Sequence, residues 1–285
     1  MKNVIMAMLI TGVFSTAYGE DKALLYEVSG KGLSQPSYLY GTFHIVCPAD
    51  LKITPSMSRA MSASQQVYLE LDMDDPGLKP ALMAAMTLPG GKNLKDFMGS
   101  ADRAVLDRYL TQNVGAGLGQ LGTLKPIALI AVVYQKILSC ETASYDLTLA
   151  QMAGNARKPV LGLETVEQQI SVFDRVPLEV QLKGLVEIAR KPEEARKEIT
   201  MLLAAYKAQD LPQLMKLVKE SEFDTEGPEF TEDLLTKRNA NWIPIIERAA
   251  RGKSTFFAFG AAHLGGADGV VSLLRAKGYT VKAIH

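Results

Sequence analysis

Two segments near opposite ends of this 285-residue chain close an apolar run with the same four-residue device, Gly-x-x-His. The first is YLYGTFHIV, residues 38–46, with Gly41 and His44; the second is FFAFGAAHLGG, residues 256–266, with Gly260 and His263. The chain has three histidines and His285 is its last residue, so every internal histidine occupies this setting. The repetition extends further. Residues 37–72 read strand, Gly-x-x-His, helix, strand, and residues 254–284 read in the same order. This predicts an α/β protein whose mixed central sheet is built from the two units, with a large helical region between them. In open α/β sheets ligands bind beyond the carboxyl ends of the strands. Both histidines sit at such ends, so the units are expected to converge on one crevice. Gly41 and Gly260 would shape turns at which the backbones approach closely.

The rest of the chain reads consistently with that frame. ALLYEVSG (23–30) and SYLYGTF (37–43) flank the turn-rich KGLSQP and predict a β-hairpin. TPSMSRAMSASQQ opens a helix, with Thr54 ahead of Pro55 at its first position. VYLELD (67–72) and KPVLGLE (158–164) read as strands. Helical periodicity covers 78–156, with breaks at LPGGK and GAGLGQLG, and resumes to about Ala250. A helix around GVVSLLRAKG and a last strand, YTVKAI (279–284), end the chain.

Composition acts here by exclusion. With 47% apolar residues, 22% charged residues and a formal net charge of zero, the chain can bury a core. It carries no basic footprint for nucleic acid and no acidic tail, so no nucleic-acid partner is expected. Residues 1–19 read as a signal peptide: Lys2, an apolar run over 4–14, and the small-residue site Ala17-Tyr18-Gly19. That run is shorter than the ~20 residues of a spanning helix. PIALIAVVYQKIL (126–138) is also too short, is interrupted by Gln135 and Lys136, and reads as a buried helix. The expectation is an exported protein, periplasmic or secreted, with one domain over 20–285 and no stable membrane span after cleavage. In such a compartment Cys47 and Cys140 are most simply a disulfide. Thiolate ligation of a metal ranks below it, although Cys47 follows His44 by three residues.

Two histidines alone make a poor metal site, and imidazole-bound divalent ions usually add carboxylates. The candidates are Glu70, ending VYLE, and Glu164, ending PVLGLE. Either reads as a ligand or as a base on water, against the plainer reading of a solvated strand-end acid. The plainer reading of the histidines is that they cap strand ends. LLTKRNANW (234–242) supplies Arg238 and Asn239, read as a clamp on a substrate carboxylate or oxyanion or else as a solvated helix face. Trp242 reads as core. Met73, Met83, Met86 and Met98 read as fillers of gaps between helices ahead of an adaptable groove. H-E-x-x-H, P-loop and G-x-S-x-G signatures are absent from the chain.

Taken together, YLYGTFHIV, VYLELD, KPVLGLETVEQQ, KRNANW and FFAFGAAHLGGADGVVSLLRAKGYTV resemble the TraB/PrgY/GumN family, related to the TIKI metalloproteases. The wider superfamily includes erythromycin-esterase-like and ChaN-like proteins. The resemblance covers nearly all of the chain after residue 19. It implies that His44, Glu70 and His263 form the primary site, with Glu164 as a further metal ligand and Arg238 and Asn239 as secondary, substrate-binding residues. It places Asp146 and Gln168 in the family pattern without a chemical role. It also implies a divalent ion, Mn, Co or Zn, and hydrolysis of a peptide or small-molecule substrate. The alternative it leaves open is a non-catalytic protein that sequesters a peptide or, like ChaN, haem.

Overall fold

The computed structural model describes residues 22–223 and 227–285. The expected signal peptide, 1–19, lies outside the described residues. Six strands form one mixed sheet: β1 (Leu25–Ser29), β2 (Ser37–Thr42), β3 (Gln66–Leu69), β4 (Val160–Gly162), β5 (Thr255–Gly260) and β6 (Thr280–Ile284), in the spatial order β4-β3-β5-β2-β1-β6. β1 and β2 are the expected hairpin, and β6 runs antiparallel to β1. β5 is parallel to both β2 and β3, and β4 is parallel to β3. Both strand–helix–strand units are present, but they interleave rather than stand side by side, because β5 enters between β2 and β3. The reason lies in the side chains. Every residue of β2 and β5 is buried, which only the middle of a sheet covered on both faces provides.

The pleat sends alternate residues to two cores. Tyr38, Tyr40, Val67, Leu69, Phe256 and Ala258 face the helical middle of the chain, where Leu106, Leu129, Leu149 and Leu185 are buried. Leu39, Phe257 and Phe259 face the other way, against Trp242 and Ile246 of the helix Arg238–Gly252 and Val270 and Leu274 of the helix Val270–Ala276. The helix Pro55–Ala63 starts as predicted: the Thr54 hydroxyl accepts from Met57 N at 3.1 Å. PIALIAVVYQKIL is the helix Pro126–Leu138, with Leu129, Val133 and Ile137 buried. No helix among the described residues is long and apolar enough to cross a membrane. Of the four methionines, Met73 and Met86 pack against the small cluster of Leu71, Val166 and Ile170, Met98 packs against the main core, and Met83 is 65% exposed.

Cys47 and Cys140 are bonded, 93 residues apart. The thiolate-ligation alternative falls with that bond. Beside it an isolated antiparallel bridge pairs Val46 with Ala143, whose amides exchange hydrogen bonds at 3.0 and 2.7 Å. Loss of this cross-link in a Cys47→Ser, Cys140→Ser double variant is expected to lower the unfolding free energy by about 2–4 kcal/mol, chiefly by freeing the unfolded chain. Urea denaturation of both proteins measures it. Equal midpoints, or two alkylated thiols in non-reduced wild-type protein, would remove the cross-link from the account.

Candidate active site

β2, β3, β4 and β5 are mutually parallel, so their carboxyl ends share one edge of the sheet. Glu70 follows β3, Glu164 lies two residues past β4, and His44 and His263 lie two and three residues past β2 and β5. Glu164 N donates to the Glu70 carbonyl at 3.0 Å, which carries the β3–β4 ladder one step further and sets the two carboxylates side by side. Gly41 is needed for close approach: a Cβ there would stand 2.7 Å from Leu264 Cδ1 and 2.9 Å from Ala261 Cα.

Arg238 organises the inner half of the site. It follows a π-type turn, Glu232–Lys237, at the start of its helix, an irregularity common at functional positions. Its Nη2 donates to Glu70 Oε2 at 2.7 Å and to Glu164 Oε1 at 2.6 Å, and its Nε reaches both Glu164 oxygens at 3.1 Å. Nη1 donates to the Leu234 carbonyl and to His263 Nε2, each at 3.0 Å. A guanidinium has no lone pair to offer, so His263 Nε2 is the acceptor. The ring proton is therefore on Nδ1, donated to Asn239 Oδ1 at 2.7 Å. Asn239 is itself oriented by its Nδ2, which donates to the Asp268 carbonyl at 2.8 Å. Burial, reinforced by Arg238 and His44, depresses His263 to about 3 against the pull of Glu70, in keeping with a neutral ring. Trp242 closes the floor: its ring lies 4.5 Å from that of His263 and 4.8 Å from the guanidinium carbon, and its Nε1 donates to Glu164 Oε2 at 3.2 Å.

The outer half faces solvent. The His44 side chain keeps 57% of its surface open. Its Nδ1 bonds Asp146 Oδ2 at 3.1 Å, and its Nε2 stands 3.6 Å from Glu70 Oε1. Asp146 lies in the first turn of the helix Tyr145–Asn155 and also accepts from Thr42 Oγ1 at 3.4 Å. Desolvation opposes the His44 imidazolium, but the Glu70 and Asp146 carboxylates favour it and raise its pKa to about 9. Burial pushes the Glu70 carboxyl up, yet His44 and Arg238 outweigh it and hold it at about 2. Glu70 Oε1 also accepts the Gly260 N–H at 2.8 Å, and Oε2 accepts from Gln169 Nε2 at 2.8 Å.

Among the described residues, no group of three or more His, Cys, Asp or Glu stands as a ready metal cage. The physical reason is Arg238, which takes the His263 lone pair and one Glu70 oxygen. The donor chemistry nevertheless suits a divalent ion. His44 Nε2, Glu70 Oε1 and the His263 ring surround the space that a side chain at Gly260 would fill: a Cβ there would lie 3.1 Å from His44 Nε2, 3.4 Å from Glu70 Oε1 and 3.6 Å from His263 Cδ2. Glu70 presents a free lone pair as it stands, His44 does so at Nε2 once its ring is neutral, and His263 does so only once Arg238 releases its Nε2. Both Glu164 oxygens are engaged by Arg238 and Trp242.

Sequence reading left Asp146 without a role, and the structure gives it one as the partner of His44. It overlooked Gln169 and named its neighbour Gln168. Gln168 is the far end of a capping box: its backbone N–H donates to Thr165 Oγ1 and its side-chain oxygen accepts the Thr165 N–H. Thr-x-x-Gln ahead of an apolar turn is the signal that turns Gln168 back on the backbone and leaves Gln169 to face Glu70.

The family model for the TraB/PrgY/gumN family matches residues 24–283. The chain belongs to that family. It is also similar to proteins named metalloproteases: TIKI2 of Xenopus tropicalis and TIKI1 of Danio rerio, each 26% identical over 87% of this chain, and TIKI1 of Homo sapiens, 25% identical over 87%. This family member spans 57–60% of the length of those relatives. No solved structure matches it.

Proposed function

We propose that this TraB/PrgY/gumN family member is an exported hydrolase that cuts peptide bonds with the help of a divalent ion. One observation carries the reading: His44 Nε2 and Glu70 Oε1 face each other at 3.6 Å at a solvent-open mouth, over the cradle left by Gly260. The metalloprotease names of the TIKI relatives support it. The Cys47–Cys140 bond and the leader-like residues 1–19 support export.

His44 and Glu70 would hold the ion, with His263 joining them when Arg238 moves off its Nε2. A divalent ion held there supplies Lewis-acid polarisation and makes water acidic enough to attack at neutral pH. The chain's own groups do the rest. Asp146 fixes the His44 ring by its Nδ1, which leaves Nε2 aimed inward. Glu70 accepts the proton of the attacking water. Arg238, whose N–H groups are all engaged, would have to give up His263 or a carboxylate before it could bind the oxyanion that forms on the carbonyl. The same arginine favours a second reading, ligand capture without turnover, because it already neutralises Glu70 and occupies His263.

Elemental analysis of the mature protein beside a His44→Ala, His263→Ala double variant tests the metal. Wild-type protein is expected to retain close to one divalent ion after dialysis, and the variant none. Equal retention in both, or an unchanged cleavage rate in the variant, would defeat the proposal. Peptide binding without cleavage under Mn, Co or Zn would favour capture.

A further inference from the structure

A cavity of about 290 Å³ opens beside His44. Part of its wall is the site itself, at His44 and Gly260. The rest is apolar and comes from the helical middle: Tyr134 of the helix Pro126–Leu138, Ile199 and Leu202 of the helix Pro192–Lys207, and Leu214 of the helix Leu211–Lys219, with Phe43 alongside. Tyr134, Leu202 and Phe43 are half-buried, so the walls are reachable from solvent. The volume falls just under the ~300–1,000 Å³ of sites that enclose a whole small ligand. It suits one side chain better than a macrocycle. Water there finds few polar partners, so an apolar group that displaces it gains free energy. The polar rim group is Glu198, held by the Ser221 hydroxyl and by Glu222 N at 3.3 Å. A fixed carboxylate at the rim repels an acidic side chain.

We propose that this cavity receives a large uncharged apolar side chain of the substrate residue next to the bond that is cut, with Ile199 and Leu202 setting its depth. The inference rests on the peptidase reading and adds the substrate class to it. Contact with His44 and Gly260 is what ties the pocket to the reacting bond. A leucine, methionine or phenylalanine at that position is selected, and aspartate or glutamate is rejected.

The experiment has a binding arm and a cleavage arm. N-acetyl-leucine amide, N-acetyl-alanine amide and N-acetyl-aspartate amide are titrated into methyl-labelled protein and followed by NMR. The leucine probe is expected to bind about tenfold or more tightly than the alanine probe, with the largest shifts at Ile199, Leu202 and Leu214. Leu202→Trp, at a half-buried position where the larger ring fills the cavity, should erase that difference. Glu198→Gln should admit the aspartate probe. In the cleavage arm a peptide mixture is digested and its new ends are read by mass spectrometry. Leucine selectivity lost in Leu202→Trp, with no peptide cut by metal-loaded protein, would keep the pocket and remove the hydrolase. Peptides cut at the same sites and rates by wild type and Leu202→Trp would remove the pocket and keep the hydrolase. Equal affinity of the leucine and alanine probes also overturns the pocket.

Discussion

Arg238→Ala is expected to lower the unfolding free energy by about 3–5 kcal/mol. The arginine is 6% exposed, and its guanidinium is the cation shared by two nearly sealed carboxylates, Glu70 and Glu164. Without it two negative charges remain buried a few ångströms apart. An uncompensated buried charge accounts for most of the cost, more than the pair itself contributes. The pH dependence separates this cause from simple loss of packing. Stripped of its guanidinium partner, the Glu70 carboxyl binds a proton more readily in the variant fold than in the wild-type fold. The deficit should therefore be largest at neutral pH and shrink as pH falls. Arg238→Lys should recover little, because a single ammonium cannot reproduce the fork that reaches Glu70, Glu164, Leu234 and His263. Urea denaturation at pH 7 and pH 5 measures this. A loss below about 1 kcal/mol, or one independent of pH, would mean that water reaches the cluster and screens it.

Glu70→Gln is expected to reduce peptide turnover by about 10²–10⁴-fold while the protein stays folded. The carboxamide keeps one oxygen, which can accept from either the Gly260 N–H or Arg238, and it cannot take a proton from water. Stability should change in a way that depends on pH. The folded Glu70 carboxyl is held at about 2 against an ordinary value of 4.5. That difference is worth about 3 kcal/mol, present above pH 4.5 and lost as pH falls through about 2. The wild type and the variant should therefore converge in stability near pH 2. Unchanged turnover would take Glu70 out of the chemistry, and a constant stability gap down to pH 2 would mean that its carboxyl is not depressed.

The strands and the convergence of the histidines were legible because both rest on local patterns. FFAFG announces a strand, Thr54-Pro55 announces a helix start, and Gly-x-x-His is visible twice. The interleaving of β5 was not legible, since order within a sheet depends on which strands bury both faces once the helices are in place. Nor was the Arg238 cluster. Its contacts join residues 74 and 168 positions apart, and nothing local to KRNANW distinguishes a buried arginine from a solvated one. Trp242 was recognised as core, but its bond to Glu164 follows only from the packing of its helix against β5. The disulfide was readable from cysteine count and the expected export, whereas the neighbouring contact of His44 with Asp146 required the fold.

The slot between β2 and β3 has a consequence for how the molecule comes into being. A nascent chain that has not reached Thr255 can form the β1–β2 hairpin and the β3–β4 pair, but these remain two fragments with open edges. β5 joins them, and it brings Gly260 and His263 with it. The centre thus depends on pairings far apart in sequence, and such pairings form late and slowly. Whatever chemistry the site performs is withheld until β5 and His263 have been made, and a chain cut short before β5 would have His44 and Glu70 but no centre to put them in.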